Sequence, residues 1–338
     1  MTIRRTAAAM TAVAAMTALA ACGGDDNGDA NGEEDEDVDV EVGSEDDFVT
    51  DLEFATGGTA GTYYPLGGEL ADIFSESTDA TVNYVESGGS GDNLGRIFQE
   101  QSQLALTQND TAAHAYNGDL EDLEGTEINN FGWISNLYPE AMHIVVRADS
   151  GIESIEDLDG ADIAVGDVGS GTRAISDAIL DYYEIDYTPE ETDFGASTEM
   201  LADGQIDATM FVVGVPVAGL TQIAATTDVE LLSLDDADAD DMAGDEFYEA
   251  YTIDADSYDF LDEDVTTLSV FAALIASTTQ VSEDLAYDIT AALFDNAESI
   301  TLDVGENIDL EESLFGVGDI PLHPGAERYF DEQGIDLP

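Results

Sequence analysis

From residue 48 onward the spacing of apolar positions switches repeatedly between the two-residue period of a strand and the three-to-four-residue period of a helix. FVTDLEFATG (48–57) predicts a strand, and Tyr64–Ser77 an amphipathic helix. TVNYVES (81–87) is a second strand, followed by the turn GGSGD and the helix NLGRIFQEQ; QLALTQND (103–110) and TAAHAYNG repeat the unit. HIVVR (143–147) is a further strand, and the turn-rich SIEDLDG separates it from ADIAVGD (161–167), which opens a second series. There a GSGT loop leads to the helix RAISDAILDYYEI (173–185), then the strand IDATMFVVG (206–214), a helix over VPVAGLTQIAAT and the strand VELLSL. A last block pairs TLSVFAALIAS (267–277) with the long helix SEDLAYDITAALFDNAESI, whose early acids suit the positive end of a helix dipole. Alternation of this kind implies an α/β protein with parallel sheet covered by helices. The two series share a pattern, and no close internal sequence repeat.

Three strand-to-helix turns carry the candidate chemistry: GGTAGTYYP (57–65), SGGSGD (87–92) and GSGTR (169–173). Glycines such as Gly58 and Gly171 let backbone approach a ligand, and the first N–H groups of the following helix lack partners and attract anions. Thr59, Thr62, Ser90, Ser170 and Thr172 add hydroxyl donors. The alternative is that these residues only make turns and cap helices. Three such loops in two series favour a ligand, because open α/β sheets bind beyond the carboxyl ends of their strands. Nucleotide-binding patterns fail: a P-loop needs a lysine that the chain lacks, and Gly57, Gly58 and Gly61 have the wrong dinucleotide spacing. Arg173 starts a helix, where the dipole disfavours a cation. It reads either as a surface arginine paired with acids or as a bidentate clamp for a ligand carboxylate.

Other chemistry is sparse. His114, His143 and His323 are scattered outside any ligand spacing, and His143 reads as a satisfied core histidine. There is no G-x-S-x-G elbow. In DDADADDMAGDEF (235–247) an EF-hand register places Asp241 where Gly is needed and Phe247 where Glu is needed. That segment is expected to be a solvated acidic loop. No metal site and no cofactor are expected.

Composition changes the picture of the surface. The 338 residues carry 77 Asp+Glu against 6 Lys+Arg, all of them arginine, for a formal net charge of −71. The acids are spread along the chain, as on a surface adapted to high salt, where about 1 M ions shrink the Debye length to about 3 Å. Nucleic acid is excluded as a partner, since neutralising phosphates needs a basic face. At the N-terminus, Arg4 and Arg5 precede an Ala-rich apolar stretch ending Leu19-Ala20-Ala21-Cys22. This is the layout of an export signal, and its end resembles a bacterial lipobox. Residues 1–21 are therefore expected to be a lipoprotein signal peptide, with Cys22, the only cysteine, lipidated and anchored to a membrane. Residues 22–47, rich in acid, Gly and Asn and free of aromatics, are expected to form a disordered tether.

The body resembles the TAXI family of solute receptors, the extracytoplasmic components of TRAP transporters. The resemblance rests on ATGGTAGTYYPLGGELADIF, SGGSGDNL, LALTQNDTAAHAYNG, LYPEAMHIVVRADSGI, IAVGDVGSGTR, DGQIDATMFVVGVPVAGL and IPLHPGAERYF, in that order over residues 52–333. The absent lysines and acidic insertions near 235–264 depart from it without touching the loops. It implies a bilobed, type II periplasmic-binding fold, with two lobes, each a mainly parallel sheet flanked by helices, and a ligand cleft between them. Lobe one would combine residues 48–142 and 267–338, and lobe two residues 143–266. Thr59, Thr62, Tyr63, Gln108 and Asn109 would line one wall; Ser170, Gly171, Thr172 and Arg173 would line the other, with Phe211 and Gly214 nearby. The implied ligand is a small organic acid or amino acid, glutamate among them, and the implied partner is a TRAP membrane permease driven by an ion gradient. A receptor for an ATP-driven importer or a signalling partner is the alternative among binding proteins. A secreted hydrolase or transferase is the alternative among enzymes, and it lacks a credible nucleophile or base.

Dialysis from molar salt into dilute buffer is expected to unfold the body, because carboxylate repulsion is then unscreened. Loss of the far-ultraviolet circular dichroism reports it; full stability in dilute buffer contradicts a salt-adapted surface.

Overall fold

The computed structural model describes residues 41–120, 125–244 and 247–338. The expected signal peptide (1–21), the expected lipidation site Cys22 and residues 22–40 of the expected tether lie outside the described residues. The end of that tether bonds to the body: Gly43 N–H donates to Thr278 O (3.1 Å) and Val49 N–H to Gln280 O (2.9 Å). Body contacts thus begin before residue 48. Among the described residues no helix is long and apolar enough to cross a membrane.

The first series folds as read. β1 (Asp51–Ala55), α1 (Tyr63–Ser77), β2 (Thr81–Val85), α2 (Ser90–Phe98), β3 (Leu104–Gln108) and α3 (Asn109–Tyr116) follow one another, with β1 parallel to both β2 and β3. Leu66, Leu70 and Phe74, four residues apart, form the buried stripe of α1 and pack with Leu52 and Phe54 of β1. The second series comprises β5 (Asp162–Ala164), α4 (Gly171–Tyr182), β6 (Thr188–Glu190), α5 (Phe194–Ala202), β7 (Ala208–Val213), α6 (Ala218–Ala224) and β8 (Val229–Leu231). In it β5 is parallel to β6 and β7.

Two long antiparallel strands join the halves. β4 (Phe131–Arg147) and β10 (Val265–Ser277) run side by side through a ten-stranded sheet of order β2-β1-β3-β10-β4-β7-β5-β6 among the described residues. β8 adds to β4, and β9 (Glu249–Ile253) adds to β10. The expected pair of sheets is therefore one continuous sheet whose central strands are antiparallel. β4 is much longer than the HIVVR run suggested, because its first half is buried on both faces and shows no alternation. It exchanges partners at Ala141, which faces Ser269 of β10 on one side and Val213 of β7 on the other. Residues before it bond to β10, and residues after it to β7 and β8.

The run 235–247 is not wholly a loop. It contains α7 (Asp236–Met242), whose Ala239 and Met242 are buried one turn apart. Its acids accept hydrogen bonds from tyrosines, Tyr183 Oη to Asp238 (2.9 Å) among them. α8 (Glu283–Asn296) and α9 (Pro324–Gln333) complete the cover of the first half through Leu285, Ile289, Leu293, Tyr329 and Phe330.

Phe74 is fully buried, with its ring 6.4 Å from that of Phe54. Phe74→Ala is expected to cost about 3–5 kcal/mol in denaturant unfolding at high salt; a loss under about 1 kcal/mol contradicts this packing.

Candidate functional site

The loops leaving the carboxyl ends of β1, β2, β5 and β6 converge on one cavity of about 120 Å³. Its lining includes Gly58, Thr62, Tyr63, Ser90, Gln108, Ser170, Gly171, Thr172 and Phe211. The structure thus brings together residues from all three Gly-rich turns. Their local chemistry explains the placement. Ser170 Oγ accepts from the N–H of Arg173 (3.3 Å) and so starts α4 at Gly171. Thr172 Oγ1 accepts from Val212 N–H (3.2 Å), and Thr62 Oγ1 from Gly214 N–H (3.1 Å), fixing each loop to β7 or its end. Gly91 N–H donates to Gly169 O (2.9 Å) across the mouth, and a Cβ on Gly91 would lie 2.5 Å from that oxygen. Only glycine permits this approach.

Four expected residues sit outside the lining. Thr59 is exposed, and Gly214 stands behind the wall, bonded to Thr62. Asn109 begins α3, where Oδ1 accepts from Phe271 N–H (3.0 Å). Arg173 turns outward: Nε donates to Asp177 (2.7 Å) and an Nη to Glu191 (2.7 Å). Both pairs place it in the surface arrangement, away from the cavity.

The residue that sequence reasoning missed is Glu140. It lines the cavity from β4, one residue before the partner exchange, and is 2% exposed. Tyr63 Oη donates to Oε2 (2.9 Å) and Tyr138 Oη to Oε1 (3.2 Å). Burial pushes the carboxyl up to about 8, outweighing the opposing hydrogen bonds from Tyr63, Gln108 and Tyr138; nearby Asp110 pushes the same way. Asp110 is itself fully buried and raised to about 6 by desolvation. The only other charged side chains in the lining are Asp167 and Asp193; among the described residues no Arg or His lines the cavity. Gln108 supplies a further acceptor, since its buried Oε1 has no hydrogen-bond partner among the described residues and faces Gly171. His143, behind the wall, is the satisfied core histidine expected: its ring nitrogens meet Ala141 O and Tyr258 Oη (2.9 Å each), and it stacks on Phe211. Burial lowers it to about 4. Among the described residues no acid, histidine and cysteine cluster suits a metal ion.

A sheet whose two halves are stitched by two long antiparallel strands, with loops from both halves lining one small cavity, has the bilobed fold of periplasmic binding proteins. Two solved structures share this fold. One is described as a periplasmic transporter, at 14% identity over 83% of this chain and 91% of that one, with a TM-score of 0.53. The other is PhnD1 from Prochlorococcus marinus (MIT 9301) in complex with methylphosphonate, at 10% identity over 84% of this chain and 98% of that one, with a TM-score of 0.51. The chain belongs to the NMT1-like family, whose model matches residues 54–334.

Linkage makes Glu140 visible in stability. With a raised folded value, its contribution is complete below the ordinary 4.5 and is lost progressively as pH rises, until the pH passes about 8. In that window it lowers stability by roughly 1.4 kcal/mol per pH unit. Glu140→Gln is expected to flatten the fall, measured by denaturant unfolding across the window in high salt. A slope equal to that of the unsubstituted protein contradicts a buried, protonated Glu140.

Proposed function

We propose that this chain is an extracytoplasmic solute-binding receptor that captures a small carboxylate, such as glutamate or a related amino acid or dicarboxylate, and performs no chemistry on it. The observation that carries the reading is the single cavity built from loop residues of both halves, with the starts of α1 and α4 and several hydroxyls in its lining. The two lobes are residues 48–142 with 267–338 and residues 143–266, and they close about β4 and β10, where the first boundary falls beside the partner exchange. Export and a lipid anchor at Cys22 fit the N-terminal sequence and would hold the receptor at the outer face of a membrane. The partner is a TRAP permease, a reading supported by the order of the loop motifs. A receptor serving an ATP-driven importer is equally compatible with the fold, and the type of permease encoded beside it separates the two.

Closure should be measurable in solution. Small-angle scattering in high salt is expected to show a smaller radius of gyration when L-glutamate or another solute of this class is added. Gly91→Ala should weaken that response, because its Cβ meets Gly169 O across the mouth. A profile unchanged by a panel of amino acids and dicarboxylates contradicts the receptor reading.

A further inference from the structure

A second groove, of about 670 Å³, lies where β10 changes partners. Ser269 of β10 pairs with Glu249 of β9, and Ala272 pairs with Gln108 of β3, so Phe271 falls between the two pairings. This groove shares no lining residue with the cavity between the Gly-rich loops. Its walls are aromatic. Phe271 and Phe315 meet edge to face, with ring centroids 5.6 Å apart, and Phe315 is 57% exposed. Phe247 supplies a third ring, backed by the ring of His114 at 5.9 Å.

Asn109, which the sequence marks as a ligand residue, belongs to this lining and is 2% exposed. Its Oδ1 accepts from Phe271 N–H (3.0 Å), while its Nδ2 donates to no described residue. That nitrogen stands beside Gly316 of the lining, where a Cβ would lie 3.6 Å from it. A buried amide donor without an acceptor is costly, and this one is turned to the groove. Asp240 and Glu249 complete the polar lining. Neither takes part in an ion pair among the described residues, and no Lys, Arg or His lines the groove there.

These features converge on one kind of ligand. Ring faces carry partial negative charge and attract a cation, and two carboxylates without a counter-ion add to that attraction. Rings cannot replace the hydration shell of a small inorganic ion, whereas a methylated ammonium is weakly hydrated and brings an apolar surface to them. The free amide donor calls for an oxygen on the same molecule. We propose that this groove binds a small organic cation, a methylated ammonium that also carries an oxygen acceptor. The ammonium group packs against Phe271, Phe315 and Phe247 beside the two acids, and the oxygen accepts from Asn109 Nδ2. The site is separate from the solute cavity and does not depend on the receptor reading.

The test is a ligand-observed NMR titration on the mature protein in high salt, reading the sharp methyl signals of three probes. These are choline, its uncharged carbon isostere 3,3-dimethylbutan-1-ol, and tetramethylammonium. Choline is expected to bind roughly tenfold more tightly than the isostere, which loses the attraction to the ring faces. It should also bind several-fold more tightly than tetramethylammonium, which leaves the amide donor unmet. Phe315→Ala, at an exposed position where folding is insensitive to the change, should weaken choline roughly tenfold. The isostere or tetramethylammonium binding as tightly as choline overturns the inference. So does choline binding that Phe315→Ala leaves unchanged, which would place choline elsewhere on the molecule, and so does an absence of choline binding.

Discussion

Removing one carboxyl from water, with two tyrosine hydroxyls as its anchors, is the constraint from which the rest of the site follows. Glu140 stands in the strand that exchanges partners between the two halves of the sheet, and it is held by Tyr63 from the first turn of α1 and by Tyr138 from its own strand. A buried group of the cavity lining therefore stands in the strand that pairs with both halves of the sheet. Its neighbours make no attempt to neutralise it. Burial without a cation beside it raises the carboxyl to about 8.

The scarcity of cations makes this arrangement consistent across the molecule. Beyond residue 21 the chain has four arginines, and each is engaged with surface acids: Arg96 with Asp92, Arg147 with Asp149, Arg173 with Asp177 and Glu191, and Arg328 with Glu283 and Asp284. None reaches the cavity lining. Under the proposed function, a carboxylate would be held by backbone N–H groups at helix starts, which need no basic side chain. On the surface, tyrosine hydroxyls take part of the role that lysines usually fill, as in the bonds from Tyr183 to Asp238 and from Tyr187 to Asp177.

Much of the fold was legible because strand and helix periods alternate cleanly in both series. Thr62, Ser90, Ser170 and Gly171 line one cavity, as expected of residues in glycine turns that lead from a strand to a helix. The join of the two halves was not legible. The first half of β4, FGWISNLYP, is buried on nearly every residue and shows no strand alternation, so its length follows only from pairing with β10. Glu140 was hidden by abundance: one acid among 77 carries no signal by itself. What distinguishes it is its burial beside Tyr138 in the middle of β4. Arg173 illustrates the opposite error risk, since a cation beside a Gly-rich loop suggests a ligand, and only the positions of Asp177 and Glu191 turn it to the surface. α7 was obscured because Asp-rich composition argues against a helix, while burial of Ala239 and Met242 decides in its favour.

The most direct measurement is mass spectrometry of the solute retained when the protein is purified from its natural source in high salt and then denatured. The expected result is a small carboxylic acid, released in near-equimolar amount. A nucleotide or a sugar in its place contradicts the reading of the chain as a receptor for small carboxylates.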